Sequence, residues 1–267
     1  RFDPPHSLEY MFNHGKAKFH WLNGPDTGDI SEITSMDDFM EKFEYQIADA
    51  VKGYVATVNG YNDLPDPENY TQPFLSCFCD CCIERGMDIN MGGAKYPSVH
   101  GAAVMGIGTV ADSLAAIEKT VFVDKSLTLQ ELKEALDCNF EGKENVRKLL
   151  LDAPKYGNND DFVDKYAVWY VDFCAKEFDK YHTHDGGAFY ILMAANTNNI
   201  TAGEYTAATP DGRKEKEPLS DAASPSHGKD TRGATCTVNS ITKPDYKVVS
   251  GGSVVNQKFS PSMFTDE

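Results

Sequence analysis

Five stretches of this sequence hold side chains or backbone of a kind that does chemistry. His182-Thr-His184-Asp185 offers two imidazoles and a carboxylate, the donors of a zinc or iron site. Cys77-Phe-Cys79-Asp-Cys81-Cys82 gathers four of the seven cysteines. Gly106-x-Gly108 precedes a helical pattern, where free backbone N–H groups can cradle a phosphate. Asn196-Thr197-Asn198-Asn199 follows Phe189 to Ala195, a continuous apolar run of strand length. Ala208-Thr209-Pro210-Asp211-Gly212-Arg213 opens a punctuated loop that runs to Gly233.

Weighed one by one, the first three favour ordinary structure. The His182 to Asp185 group lies in a turn before Gly186-Gly187 with no companion ligand motif, so a solvated loop is the favoured reading. Phe74, Phe78, Cys81 and Cys82 fall on one face at i, i+4, i+7 and i+8, which makes these cysteines small buried apolar residues. A zinc or iron–sulfur site would have to recruit Cys138, Cys174 or Cys236, all distant in sequence. Gly106-x-Gly108 lacks the third glycine of a dinucleotide fingerprint and the Gly-Lys-Ser/Thr of a P-loop, which disfavours nucleotide binding.

The other two favour function. Ligands of α/β sheets bind beyond the carboxyl ends of strands, so Asn196, Thr197 and Asn198 are binding candidates as much as turn formers. In Pro210-Asp211-Gly212, proline pre-sets φ, aspartate bonds its own backbone and glycine takes a left-handed position. Arg213 then adds a rigid five-donor fork suited to a carboxylate or to several carbonyls. A loop this long and this specified is more often functional than not.

The elements that would position these groups are mainly helices. Ser35-x-x-Asp38 caps a helix from about Met36 to Val58 with Phe39, Phe43, Ile47 and Val51 inward, and Pro73 starts a helix that runs through the cysteines to Gly86. Thr109-x-x-Asp112 and Thr128-x-x-Glu131 read as further capping boxes, followed by a short helix near Val146 to Leu151. A long helix then carries Phe162, Tyr166, Trp169, Tyr170 and Phe173. Phe189 to Ala195 reads as a strand buried on both faces, and Ala234 to Ile241 and Ser253 to Phe259 read as two more.

The chain of 267 residues is 41% hydrophobic, globular in composition and long enough for one large domain or two small ones. A net charge of −16 spread along the chain disfavours nucleic acid and anionic membranes as partners. No apolar stretch approaches the ~18 residues of a membrane span. Crowded cysteines are not a disulfide framework, which points to a reducing, cytoplasmic compartment.

Several stretches together resemble the glycyl radical enzymes, the pyruvate formate-lyase-like family. They are Gly92-Gly93-Ala94-x-Tyr96, Ala111-Asp112-Ser113-Leu114-Ala115-Ala116-Ile117, Asn139-Phe140-Glu141-Gly142, Ala153-Pro154-Lys155-Tyr156-Gly157-Asn158 and Thr209-Pro210-Asp211-Gly212-Arg213. Pro218-Leu219-Ser220-Asp221, Ser224-Pro225, Gly228-x-Asp230 and Asn256-Gln257-Lys258-Phe259 continue the series in the family's order. Pro97 and Ala234 depart from it, where asparagine and proline are usual.

The resemblance implies an α/β fold: part of a ten-stranded barrel, with residues 1–267 as one domain supplying much of its second half and surrounding helices. It implies a glycyl radical, installed by an activating enzyme that uses S-adenosylmethionine and an iron–sulfur cluster, and a cysteine thiyl that abstracts hydrogen from a small-molecule substrate. The cysteine loop would precede Arg1 and the radical loop would follow Glu267, so the chain holds no catalytic residue or bound cofactor of its own. Alone it would be inactive. Phe189, Asn196, Thr197 and Asn198 would then help wall the substrate, and Asp211 and Arg213 would brace that wall. The implied class is a dehydratase or lyase, working as a homodimer in the family's manner. Formate acetyltransfer, arylacetate decarboxylation and a non-catalytic binding fragment stand as alternatives.

Overall fold

The computed structural model describes residues 3–60, 67–195 and 197–259. Its centre is α5 (Ile107–Ile117), whose eleven residues are all buried, so this helix is wrapped on every side. Across it lies α8 (Asp161–Asp179), which also backs the sheet. On α8, Val163, Tyr166, Ala167, Tyr170, Val171 and Cys174 repeat at helical spacing and are buried, while Phe162, Trp169 and Phe173 pack on the margin.

Helix α1 (Pro5–Phe12) and helix α2 (Met36–Gly60) close one flank. The stripe Phe39, Phe43, Ile47, Val51 and Val55 is buried as its spacing predicts, each large apolar side chain contributing roughly 1.5–3 kcal/mol. Phe43 meets Trp169 at 5.8 Å between ring centroids, and the Trp169 indole N–H donates to Glu44 at 2.8 Å. Helices α6 (Leu129–Asp137) and α7 (Glu144–Asp152) pack on each other, and α7 packs on α5. The Thr128 and Glu131 box is fully formed at the start of α6.

Two strands form a parallel sheet, β1 (His100–Ala103) and β2 (Phe189–Leu192), with His100 opposite Phe189 and Ala103 opposite Leu192. This is an α/β arrangement among the described residues. The expected strand was longer and buried on both faces; observed burial alternates along β2, because only one face meets the helices.

Five expectations are corrected. Helix Pro73 to Gly86 is broken into α3 (Pro73–Ser76) and α4 (Cys82–Arg85), because Cys81 takes a left-handed φ of 73°. Of the face expected to be buried, only Cys82 is; Phe74 is 79% and Phe78 73% exposed. Thr109 lies inside α5, not at its cap: the helix starts from Gly106, and the Thr109 hydroxyl is committed elsewhere. Ala234 to Ile241 is a helix, α10, with Thr237, Ser240 and Ile241 inward at i, i+3 and i+4, a packing preference that overrides its β-branched composition. Ser253 to Phe259 forms a single bridge, Ser253 to Met193, and is otherwise exposed and irregular.

Candidate active site

The two faces of the sheet have different surroundings. His100, Ala102, Phe189 and Ile191 turn toward the helices: the Phe189 ring stacks on Phe178 at 6.4 Å and meets His100 at 5.5 Å. Gly101 and Tyr190 lie on the opposite face, and a Cβ added to Gly101 would stand 2.8 Å from the Tyr190 ring. Gly251 approaches the same face, its N–H donating to Ile191 at 3.1 Å. The Met193 N–H then donates to the Gly252 carbonyl and the Met193 carbonyl accepts the Val254 N–H, both at 3.0 Å, so this returning segment covers the outer end of β2.

Both strands end in turns that lead directly into helices. Met105 receives the buried Tyr170 hydroxyl at 2.7 Å, and Gly106, at φ 83°, packs where a Cβ would meet Pro5 at 2.4 Å. Beyond β2, Thr197 and Asn198 are exposed and open α9 (Asn198–Glu204); Asn196 lies outside the described residues. Met105, Ala195, Ala202 and Leu219 form a small apolar cluster below these ends. Asn199 ends the Asn-Thr-Asn-Asn run without being among its binding candidates, yet its side chain donates to the Leu219 carbonyl at 3.1 Å while its own carbonyl accepts the Leu219 N–H. A fourth amide in an Asn-Thr-Asn-Asn run carries no sequence signal for that partner.

The loop from Thr206 to Ser226 fastens this region. Arg213 is 7% exposed and its guanidinium donates to the carbonyls of Ala207 and Glu217 at 2.6 Å, to Lys214 at 2.9 Å and to the Thr209 hydroxyl at 3.1 Å. Asp211 accepts from the Thr209 hydroxyl at 2.5 Å and from the Arg213 N–H at 3.3 Å. Gly212 reaches φ 89°, and its carbonyl accepts from Arg147 on α7 at 2.9 Å. Ser220 and Thr109 exchange two bonds of 3.0 Å, the N–H of each donating to the hydroxyl of the other, so the loop is locked to α5. Gly108 allows this approach: a Cβ there would sit 2.7 Å from the Ser226 nitrogen.

Beneath the loop lies a buried charged layer. Asp112 on α5 accepts the Tyr156 N–H at 2.7 Å; burial pushes its carboxyl up to about 7, tempered by Lys155. The Lys155 ammonium donates to the Leu150 and Ala153 carbonyls at 2.7 and 2.9 Å, and burial lowers its pKa. Asn158 holds both sides, donating to Lys229 at 2.8 Å and accepting from the Thr231 and Arg232 N–H groups at 2.8 and 3.0 Å.

A separate open cleft of roughly 1750 Å³ runs along α2 and is lined by His6, Tyr10, His20, Tyr54, His100 and Asp185, among others. None of Phe189, Thr197, Asn198, Asp211 and Arg213 lines it. At its far end the His182 to Asp185 stretch is a braced turn. Burial would raise the Asp185 carboxyl, but bonds from the Ser98 hydroxyl and N–H, at 2.6 and 2.7 Å, and from Thr183 outweigh this and hold it at about 2. Among the described residues no three His, Cys, Asp or Glu converge as metal ligands, and no helix is long and apolar enough to cross a membrane.

Comparison with known proteins places this arrangement. The chain is 34% identical over 98% of its length to trans-4-hydroxy-L-proline dehydratase of Clostridioides difficile, covering 33% of that protein. It is 33% identical over 96% of its length to isethionate sulfite-lyase of Oleidesulfovibrio alaskensis, covering 31% of it. The glycerol-bound B12-independent glycerol dehydratase of Clostridium butyricum superposes with a TM-score of 0.92 at 35% identity, over 99% of this chain and 33% of that one. The chain thus spans about a third of the length of the relatives it matches. Residues 219–267 match the Glycine radical family and residues 1–203 the Pyruvate formate lyase-like family; the chain belongs to the pyruvate formate lyase-like glycyl radical enzymes.

Proposed function

We propose that this chain is part of a glycyl radical dehydratase or lyase that breaks a C–O, C–C or C–N bond of a small polar metabolite. The observation that carries the reading is the likeness over almost the whole chain to a glycerol-bound dehydratase of the same family. In it, β1 and β2 belong to the second half of a ten-stranded α/β barrel. The stretch from Phe189 to Asn198 walls the substrate in this reading, with the Phe189 ring supporting from the helix side, Thr197 and Asn198 exposed at the start of α9, and Asn196 preceding them in the sequence. Asp211 and Arg213 hold the loop that braces that wall.

A glycyl radical, once installed by an S-adenosylmethionine and iron–sulfur activating enzyme, would supply the hydrogen-abstracting chemistry. The residues here suit a wall and a brace: no cysteine lies on β1, on β2 or in the turns that follow them. Their task is to hold one C–H bond in place and keep water out, which a rigid, apolar, internally bonded support achieves. The enzyme is a cytoplasmic homodimer in this reading.

The test begins with the intact mass and terminal sequence of the natural polypeptide. It is then treated with its activating enzyme under anaerobic conditions, assayed for a glycyl radical by electron paramagnetic resonance, and offered small hydroxylated, aminated and sulfonated substrates. A radical signal with a carbonyl product supports the reading. A polypeptide ending near Arg1 and Glu267, with no radical, leaves a non-catalytic binding module in its place.

A further inference from the structure

The four thiols between Cys77 and Cys82 take no part in the site above, yet their backbone is built in an unusual way. The Cys82 N–H donates to the Cys79 carbonyl at 3.3 Å, closing a four-residue turn. Cys81, its third residue, has φ 73° and ψ −12°. Those are the angles of the third position of a type II turn, where glycine is the usual occupant. Such a turn brings its first and fourth Cα atoms within about 7 Å, and disulfides span about 4.4–6.8 Å.

The four cysteines are not equivalent within this turn. Cys77 is exposed and its thiol donates to the Pro73 carbonyl at 3.2 Å. Cys79 is half-buried, whereas Cys82 is buried at the start of α4. Burial, with Cys79 and Asp88 close by, pushes the Cys82 thiol up. Of the two cysteines that close the turn, Cys79 is therefore the one that solvent reaches and Cys82 the one behind it. A metal-thiolate centre is not favoured, since no three ligands converge among the described residues.

We propose that Cys79 and Cys82 form a dithiol oxidation site that hydrogen peroxide closes to an intrachain disulfide across the turn between α3 and α4. The Cys79 thiolate attacks one peroxide oxygen; the O–O bond breaks, leaving a sulfenic acid on Cys79 and releasing hydroxide. The Cys82 sulfur then displaces the sulfenic hydroxyl, which departs as water with the thiol proton. Two thiols lose two electrons and two protons, and one peroxide becomes two waters. A thiol donor reverses the closure by exchange.

The experiment uses the full polypeptide, reduced and freed of oxygen, then exposed to graded hydrogen peroxide, alkylated and digested with trypsin. All four cysteines fall on one peptide, Gly53 to Arg85, so alkylation there is counted directly. The expected result is loss of two of its four alkylation equivalents, restored by dithiothreitol, before Cys174 on another peptide reacts. The Cys77→Ser/Cys81→Ser variant keeps the loss, and Cys79→Ser/Cys82→Ser abolishes it. Electron-transfer fragmentation of the wild-type peptide maps the bridge without any variant. A Cys77–Cys81 or Cys81–Cys82 bridge, closure in the variant lacking Cys79 and Cys82, or four thiols still alkylated when Cys174 has reacted would overturn the proposal.

Discussion

The loop from Thr206 to Ser226 and the segment from Pro73 to Tyr96 both do without long regular structure, yet they are built in opposite ways. In the first, polar groups are buried and almost every one is answered by a partner, with Arg213 alone meeting four protein groups at 3.1 Å or less. In the second, large apolar side chains face solvent: Phe74, Phe78, Ile83 and Tyr96 are each more than 70% exposed. The first loop is thus held by buried polar groups that are satisfied, since leaving such a group unpaired costs more than making its bond gains.

Breaking the first region should have the largest effect. Arg213→Ala leaves several buried carbonyls without donors and is expected to destabilise the fold by about 3–5 kcal/mol, read from chemical denaturation. Arg213→Lys should recover only part of this, since one ammonium cannot reproduce the fork. Next comes Gly157→Ala. Gly157 has φ 92° and a Cβ there would stand 2.3 Å from Pro225, so strain plus displacement should cost about 2–3 kcal/mol.

A pH series sharpens the comparison further. The Asp112 carboxyl is raised from 3.8 to about 7 in the folded state, so between those values the native chain keeps a proton that the unfolded chain gives up. Stability should fall as pH rises from about 4 to about 7, by on the order of 2–4 kcal/mol, and change no further from this group above that. Asp112→Asn should flatten the slope in denaturation curves at pH 5 and pH 7.5. The smallest effect belongs to the second region: Phe78→Ser, on a ring 73% exposed, should shift stability by no more than about 0.5 kcal/mol. A loss there as large as that of Arg213→Ala would erase the distinction between the two regions.

The same contrast explains what the sequence made legible. The α2 stripe, the Thr128 and Glu131 cap and the Pro210-Asp211-Gly212 turn rest on local rules, spacing and turn chemistry, and the structure contains all three. What was missed rests on distant partners. Thr109 has the spacing of a cap but bonds Ser220, more than a hundred residues away. Thr237 sits in a β-branched stretch, yet its hydroxyl reaches the Gly157 carbonyl at 3.2 Å from within α10. Cys81 interrupts a helical pattern by adopting a backbone conformation that its residue type does not announce. For the site, the strand end was visible as an apolar run meeting a polar one. Which face of β2 meets the helices was not, because a four-residue strand of Phe, Tyr, Ile and Leu has no polar side to betray it.

One consequence of the Ser220 and Thr109 exchange concerns time, not energy. Two amides, one in a helix and one in an irregular loop, are tied by side chains that share the same burial. Neither can open to deuterated solvent without the other, so the Ser220 amide should exchange as slowly as those in the middle of α5. A protease would find the same stretch closed. By the clock of native-state hydrogen exchange, this loop is part of the helix it rests on.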